Sequence, residues 1–233
     1  MHWVWSVQRG VPSQGIHKDK VNIVVVGVGG QGLITIGRVL GEACIRRGID
    51  IRVAETHGMA QRGGAVEVFV RIGYGVKAPL VPLRQADYVL ATEVLEALRG
   101  VRYLNKCGWL VISDVVLPPP LAKNVPSPTE ALNALRSLPI NVVQVSAEAI
   151  AKEVGDFRAV NMTMLGGLTA FIEELLPVNI VAEVVENMLG HVNKRAFLMG
   201  YEDVKRKLSS NSFISSRECA ENKKQYLNQH TLL

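Results

Sequence analysis

The sequence predicts a doubly wound α/β domain, with a mostly parallel sheet and a helical C-terminal third. Three observations carry the prediction. Short apolar runs rich in β-branched residues, at 21–26, 65–72 and 141–145, alternate with stretches whose apolar residues recur at helical spacing. The first run breaks into four glycines, VNIVVVGVGGQG, and then enters such a stretch. From Ala159 onward the pattern stays helical to about Leu208. Alternating β and α of this kind gives a Rossmann-like sheet whose ligands bind at the carboxyl ends of the strands.

Each element has a local reason. Residues 1–20 have no sustained period and contain Gly10, Pro12 and Gly15, so they read as a loose extension. Residues 21–26 suit a strand buried on both faces. Leu33, Ile36, Val39, Leu40, Ala43 and Cys44 mark one helix face, which ends at Gly48. Residues 49–54 form the second strand, completing a βαβ unit that handedness rules make parallel and right-handed. A polar, glycine-rich loop comes next at 55–64, then a strand at 65–72. Gly73-Tyr74-Gly75 is a tight turn, and 76–78 are expected to return as a short antiparallel partner. Pro79 and Pro82 break any regular structure beyond it.

Further along, 88–91 form a strand, 94–104 a helix and 109–112 a strand. The run Pro118-Pro119-Pro120 is a stiff connector. Ser127 and Glu130 have the spacing of a capping box, opening a helix to Leu138. A strand at 141–145 leads into a helix at 146–154, and three more helices lie at 162–176, 177–189 and 192–208. The Ser-rich, basic stretch from Ser209 lacks an apolar face. The organisation is therefore an extension at 1–20, one domain at 21–207 and a tail at 208–233.

Composition removes several function classes. The chain has 233 residues, 48% of them hydrophobic, with a net charge of +5. The excess positive charge sits in residues 1–20 and 203–233, leaving 21–202 neutral, as expected of solvated ends rather than a nucleic-acid or membrane patch. No apolar run approaches the roughly 20 residues a membrane helix needs. The opening MHWVWSVQRG is too short for a signal peptide core, so the expected location is the cytoplasm. Cys44, Cys107 and Cys219 are scattered, which excludes a four-thiolate cluster on this chain and suits reduced thiols, with Cys44 packed in the core. His57, His191 and His230 have no partner at metal-ligand spacing, and no metal site is expected.

Two loops carry the chemistry. Gly27, Gly29 and Gly32 satisfy GxGxxG between a strand and a helix, where backbone N–H groups and the helix N-terminus attract an anion. Gly30 and Gln31 complete the turn. Glu55, near the end of the second strand, is where a dinucleotide site places its ribose acid, so a stand-alone NAD-binding dehydrogenase is one reading. A P-loop is excluded because Leu33 and Ile34 stand where Lys and Ser/Thr belong. The second loop holds Thr56, His57, Gly58, Met59, Gln61, Arg62, Gly63 and Gly64. This density of side-chain donors suits gripping something anionic or docking against another chain.

With GVGGQG at 27–32 and AETHGMAQRGG at 54–64, the sequence resembles the gamma-type domain of the 2-oxoacid:ferredoxin oxidoreductases, and within it the indolepyruvate small-subunit branch. Asn161-Met162, Leu165-Gly166, Asn193, Ala196-Phe197 and Gly200-Tyr201 fit the same family, and the resemblance runs from about Val21 to Lys207. It implies an oxidoreductase complex that oxidatively decarboxylates aryl 2-oxoacids from aromatic amino-acid breakdown, forms the aryl-acetyl-CoA and passes electrons to ferredoxin. Thiamine diphosphate, Mg²⁺ and [4Fe-4S] clusters would reside in the large subunit, with CoA as co-substrate. This chain would bind no cofactor alone and be inactive without that partner. Its Gly155-Asp156 is followed by Phe157 and lacks the downstream Asn-Asn of a thiamine site. The gamma subunit of a pyruvate or 2-oxoglutarate enzyme, and a non-catalytic binding module, are the other readings. The two ends, and Cys107-Gly108, depart from the family pattern.

Overall fold

The computed structural model describes residues 4–7, 20–57, 63–117 and 126–213. They form one seven-stranded sheet in the order β1-β3-β4-β2-β5-β6-β7. The strands are β1 Val4–Val7, β2 Val21–Val28, β3 Ile51–His57, β4 Ala65–Ile72, β5 Ala86–Ala91, β6 Leu104–Ser113 and β7 Asn141–Val145. The helices are α1 Leu33–Arg47, α2 Val94–Gly100, α3 Pro128–Ser137, α4 Ala147–Val154, α5 Val160–Ile172, α6 Val178–Leu189 and α7 His191–Ser209.

The sheet has two halves. β2, β5, β6 and β7 are parallel neighbours, while β1, β3, β4 and β2 pair antiparallel. β3 nevertheless runs the same way as β2, because β4 is antiparallel to both. Alternate side chains of each strand point to opposite faces, and both faces are covered. Val21, Ile23 and Val25 pack with α1, α5, α6 and α7, whereas Val24 and Val26 pack with α2 and α3. The C-terminal helices are held tightly: a Cβ on Gly166 would lie 1.9 Å from the Phe197 carbonyl oxygen, and one on Gly200 would lie 2.0 Å from that of Thr163. The α5 and α7 backbones therefore touch at their crossing. Ser127 closes the expected capping box with Glu130, its hydroxyl accepting from the Glu130 N–H at 3.2 Å.

Several expectations are corrected. Part of the expected loose extension is strand: Val4–Val7 pairs along the outer edge of β3, whose backbone groups would otherwise lack partners. Residues 76–78 do not return as a strand, because β4 is internal, already flanked by β3 and β2. Instead Val76 and Val81 are buried and the Ala78 carbonyl accepts from the Arg71 guanidinium at 3.2 Å. The two strands of the expected βαβ unit are parallel but not adjacent. Glu55, Thr56 and His57 continue β3 opposite Val68, Glu67 and Val66 rather than opening the loop. The helix expected over 94–104 stops at Gly100, passes through a 3-10 turn and gives way to β6 at Leu104. Cys44 is buried, which pushes its thiol pKa up. Cys107 is exposed and disulfide-bonded, against the expectation of reduced thiols. Leu208 and Ser209, expected to begin the tail, still belong to α7, and Phe213 packs on Trp109. The triproline run, Cys219, His230 and residues 214–233 of the tail lie outside the described residues.

Candidate functional site

The turn after β2 is built from its own side chain. The Gln31 N–H donates to the Val28 carbonyl at 3.1 Å, and the Val28 N–H donates back to Gln31 Oε1 at 2.7 Å. Gly32 then occupies the N-cap of α1 with φ +75°, a conformation that favours glycine. A Cβ there would also lie 2.3 Å from Asn161 Nδ2. No side chain caps this helix and its first turn holds no acidic residue, while its last turn carries Arg46 and Arg47. The positive end of a 15-residue helix is thus left uncompensated by its own residues, a disposition that favours an anion.

The two glycine-rich loops do meet. The Gly29 N–H donates to the Gly64 carbonyl at 2.8 Å, and the Gly63 N–H donates to the Gly29 carbonyl at 3.3 Å. The bond exists because β4, entering from the second loop at Ala65, lies beside the end of β2 at Val28. Of the second loop, Gly58, Met59, Gln61 and Arg62 lie outside the described residues, and His57 is placed by its backbone alone.

On the other side of the turn is a cavity of about 370 Å³. Gly30, Gln31 and Gly32 form one wall, Val115 and Leu117 a second, and Phe157, Arg158, Val160 and Asn161 a third. Phe157 and Leu117 are exposed apolar groups at its mouth. Asn161 is buried; its Nδ2 donates to the Gly32 carbonyl at 3.4 Å and its Oδ1 accepts from the Met162 N–H at 2.7 Å. The Arg158 guanidinium pairs with Asp156 through two bonds of 3.0 Å, and that contact lowers the Asp156 pKa. Arg158 remains highly exposed, so the pair gives little stability and the cation can turn toward a ligand. A bare helix end, one cation and apolar walls suit an anionic group attached to an apolar or aromatic body. Among the described residues no group of three or more His, Cys, Asp or Glu side chains could hold a metal ion.

Glu55 is elsewhere. It lines a separate groove of about 640 Å³ beside α1, with Ile34, Arg38, Arg46, Val53 and Met188. β4 stands between β3 and β2, so Glu55 is two strand spacings, about 10 Å, from the glycine turn's strand. A dinucleotide site needs those two strands adjacent. This displacement removes the ribose-binding role expected of Glu55. The amide oxygen of Gln31, which lines the cavity, is used inside the protein, accepting from the Val28 N–H and the Thr92 hydroxyl.

Sequence reading gave no site role to Thr92, Glu93, Phe157 or Arg158. The first two were legible as the end of a strand followed by Glu-x-x-Glu at 93–96, a cap pattern. Arg158 was visible only as the neighbour of Gly155-Asp156. Among the described residues no helix is long and apolar enough to cross a membrane.

Residues 22–203 match the family model described as pyruvate ferredoxin/flavodoxin oxidoreductase. The chain is similar to the indolepyruvate oxidoreductase subunit IorB of Archaeoglobus fulgidus, 38% identical across 78% of this chain and 94% of that one. It is 35% identical to the IorB of Methanothermobacter thermautotrophicus, across 77% of this chain and 95% of the relative. Relatives at 25% and 28% identity are a pyruvate synthase subunit PorC and a 2-oxoglutarate synthase subunit KorC. Among solved structures, the pyruvate oxidoreductase subunit PORC of Thermotoga maritima superposes with a TM-score of 0.62 at 23% identity, covering 80% of this chain and 97% of that one, and so shares the fold.

Proposed function

The chain belongs to the pyruvate ferredoxin/flavodoxin oxidoreductase family, and from that premise we propose that it is the small subunit of an indolepyruvate-type 2-oxoacid:ferredoxin oxidoreductase. The higher identity to IorB subunits than to PorC and KorC subunits supports this branch over the pyruvate and 2-oxoglutarate branches. A larger partner subunit completes the enzyme. Thiamine diphosphate, with Mg²⁺, and [4Fe-4S] clusters in that partner supply decarboxylation of the aryl 2-oxoacid and electron transfer to ferredoxin.

The part left to this chain is binding and orientation. One observation supports it: the uncapped N-terminus of α1 opens on a cavity with Arg158 and Asn161 on its polar side and Leu117 and Phe157 at its mouth. In this reading the cavity takes an anionic portion of CoA, with backbone N–H groups of the glycine turn and the Arg158 guanidinium as donors. The exposed apolar residues at the mouth face the large subunit, which excludes water from the site. The second loop, tied to the turn through Gly29, forms the rest of that docking edge.

The test is co-expression with the large subunit. The complex should reduce ferredoxin with indolepyruvate only when CoA is present, and should use pyruvate and 2-oxoglutarate poorly. The separately purified chain should show no turnover. Turnover by the lone chain would overturn the division of labour, and preference for pyruvate would move the protein to the neighbouring branch.

A further inference from the structure

The junction between β5 and α2 touches both sides of the cavity without lining it. Thr92 is fully buried. Its hydroxyl donates to Gln31 Oε1 at 2.8 Å, and its carbonyl accepts from Gln31 Nε2 at 3.1 Å. Its N–H donates to the Val26 carbonyl at 3.0 Å. The glycine turn is therefore fastened to the end of β5 by both ends of one amide side chain. Glu93, only 1% exposed, holds the opposite wall. One carboxylate oxygen accepts from the Leu117 N–H at 3.1 Å, and the other accepts from the Glu96 N–H at 2.8 Å. The Val94 N–H adds a bond to the Val115 carbonyl at 3.1 Å.

We propose that Thr92 and Glu93 are positioning residues that set the separation between the glycine turn and the 115–117 wall, and thereby the fit of the anionic ligand between them. The proposal rests on the CoA reading of the cavity given above. The location supports it. β2 and β5 are the adjacent strands from which the chain departs to opposite faces of the sheet, α1 on one and α2 on the other. Their carboxyl ends form the crevice where such sheets bind ligands. Residue type also matters. The Glu96 and Leu117 N–H groups each face a different oxygen of Glu93, so a glutamine in the same pose would turn an amide N–H toward one of them. Gly27 has its own place in this arrangement: a Cβ there would lie 2.1 Å from Thr92 Oγ1 and 2.7 Å from Gln31 Oε1. The first glycine of the fingerprint makes room for the fastening rather than for a phosphate.

The experiment uses the complex with the large subunit and the variants Thr92→Val, Thr92→Ser and Glu93→Gln. Thr92→Val and Glu93→Gln should raise KM for CoA by about tenfold while kcat stays within about twofold, as expected from a net hydrogen bond lost behind a binding wall. Thr92→Ser, which keeps the donor, should restore the wild-type KM. Amide hydrogen exchange should quicken at 28–32 in Thr92→Val and at 115–117 in Glu93→Gln. Unchanged exchange, an unchanged KM, or a serine variant as impaired as the valine would each overturn the proposal. If the wild-type complex shows no dependence on CoA, the reading of the cavity fails. In that case the exchange rates alone decide whether Thr92 and Glu93 hold the two walls.

Discussion

The β2-β5-β6-β7 half of the sheet and the β1-β3-β4 half follow different construction rules. In the first, parallel strands buried on both faces end at one edge, and the segments beyond them are tied by side chains: Gln31 to Thr92, and Glu93 to the Leu117 N–H. In the second, antiparallel strands carry Glu55, Glu67 and Arg71 among their apolar residues. Where its loop meets the glycine turn, the described bonds run between backbones, Gly29 with Gly63 and Gly64. A side-chain join depends on the identity of each residue and on the space around it. A backbone join tolerates a change of side chain. The first half is thus built to hold one geometry, and the second to present a loop against it.

Substitutions at matched positions can break this contrast. The largest effect is expected at Gly27, where a methyl group meets Thr92 and Gln31 inside the sheet. Gly27→Ala should cost about 2–3 kcal/mol and lower Tm by about 5–10 °C, measured by thermal melting of the complex. An intermediate effect is expected at Asp203, buried in α7, which accepts from the Ser146 N–H at 3.0 Å and pairs with Lys207 at 2.7 Å and Arg206 at 2.9 Å. Burial pushes the Asp203 pKa up, but these partners outweigh it and hold the carboxyl below its usual value. A depressed pKa contributes stability above the unfolded value, near pH 4, that is lost as the pH falls through the folded one. Asp203→Asn should therefore cost about 1–3 kcal/mol at pH 7 and less at pH 3, below the unfolded value, read from urea midpoints at the two pH values. A constant difference would show that the charge is irrelevant to the clasp between α7 and β7.

The smallest effect belongs to the loop of the second half. Gly63 has φ +75° but no atom within 4 Å of where a Cβ would stand. Gly63→Ala should cost only the backbone term, about 1 kcal/mol, with the bond to Gly29 intact. If calorimetry gives Gly63→Ala and Gly27→Ala equal costs, the two joins do not differ in kind.

Much of the fold was legible because its signals are local. The helix at 33–47, the capping box at Ser127 and Glu130, and the strand at 141–145 depend on spacing within a dozen residues, and all three stand where the pattern put them. The meeting of the two glycine-rich loops was also expected and is found. The errors share a cause. Val4–Val7 as strand, 76–78 as coil and Glu55 in a separate groove all depend on which strand lies next to which, and β4 inserted between β2 and β3 has no local signature.

By itself the sequence determined the fold class, the glycine turn opening α1 and the family resemblance, since periodicity, turn residues and motif wording are properties of contiguous chain. Only the tertiary structure decided what the glycines are for. Gly27 clears space for a bond between Gln31 and Thr92, 61 residues apart, and Glu93 reaches Leu117 across 24. Partners that distant are chosen by strand order and packing, which no stretch of sequence contains.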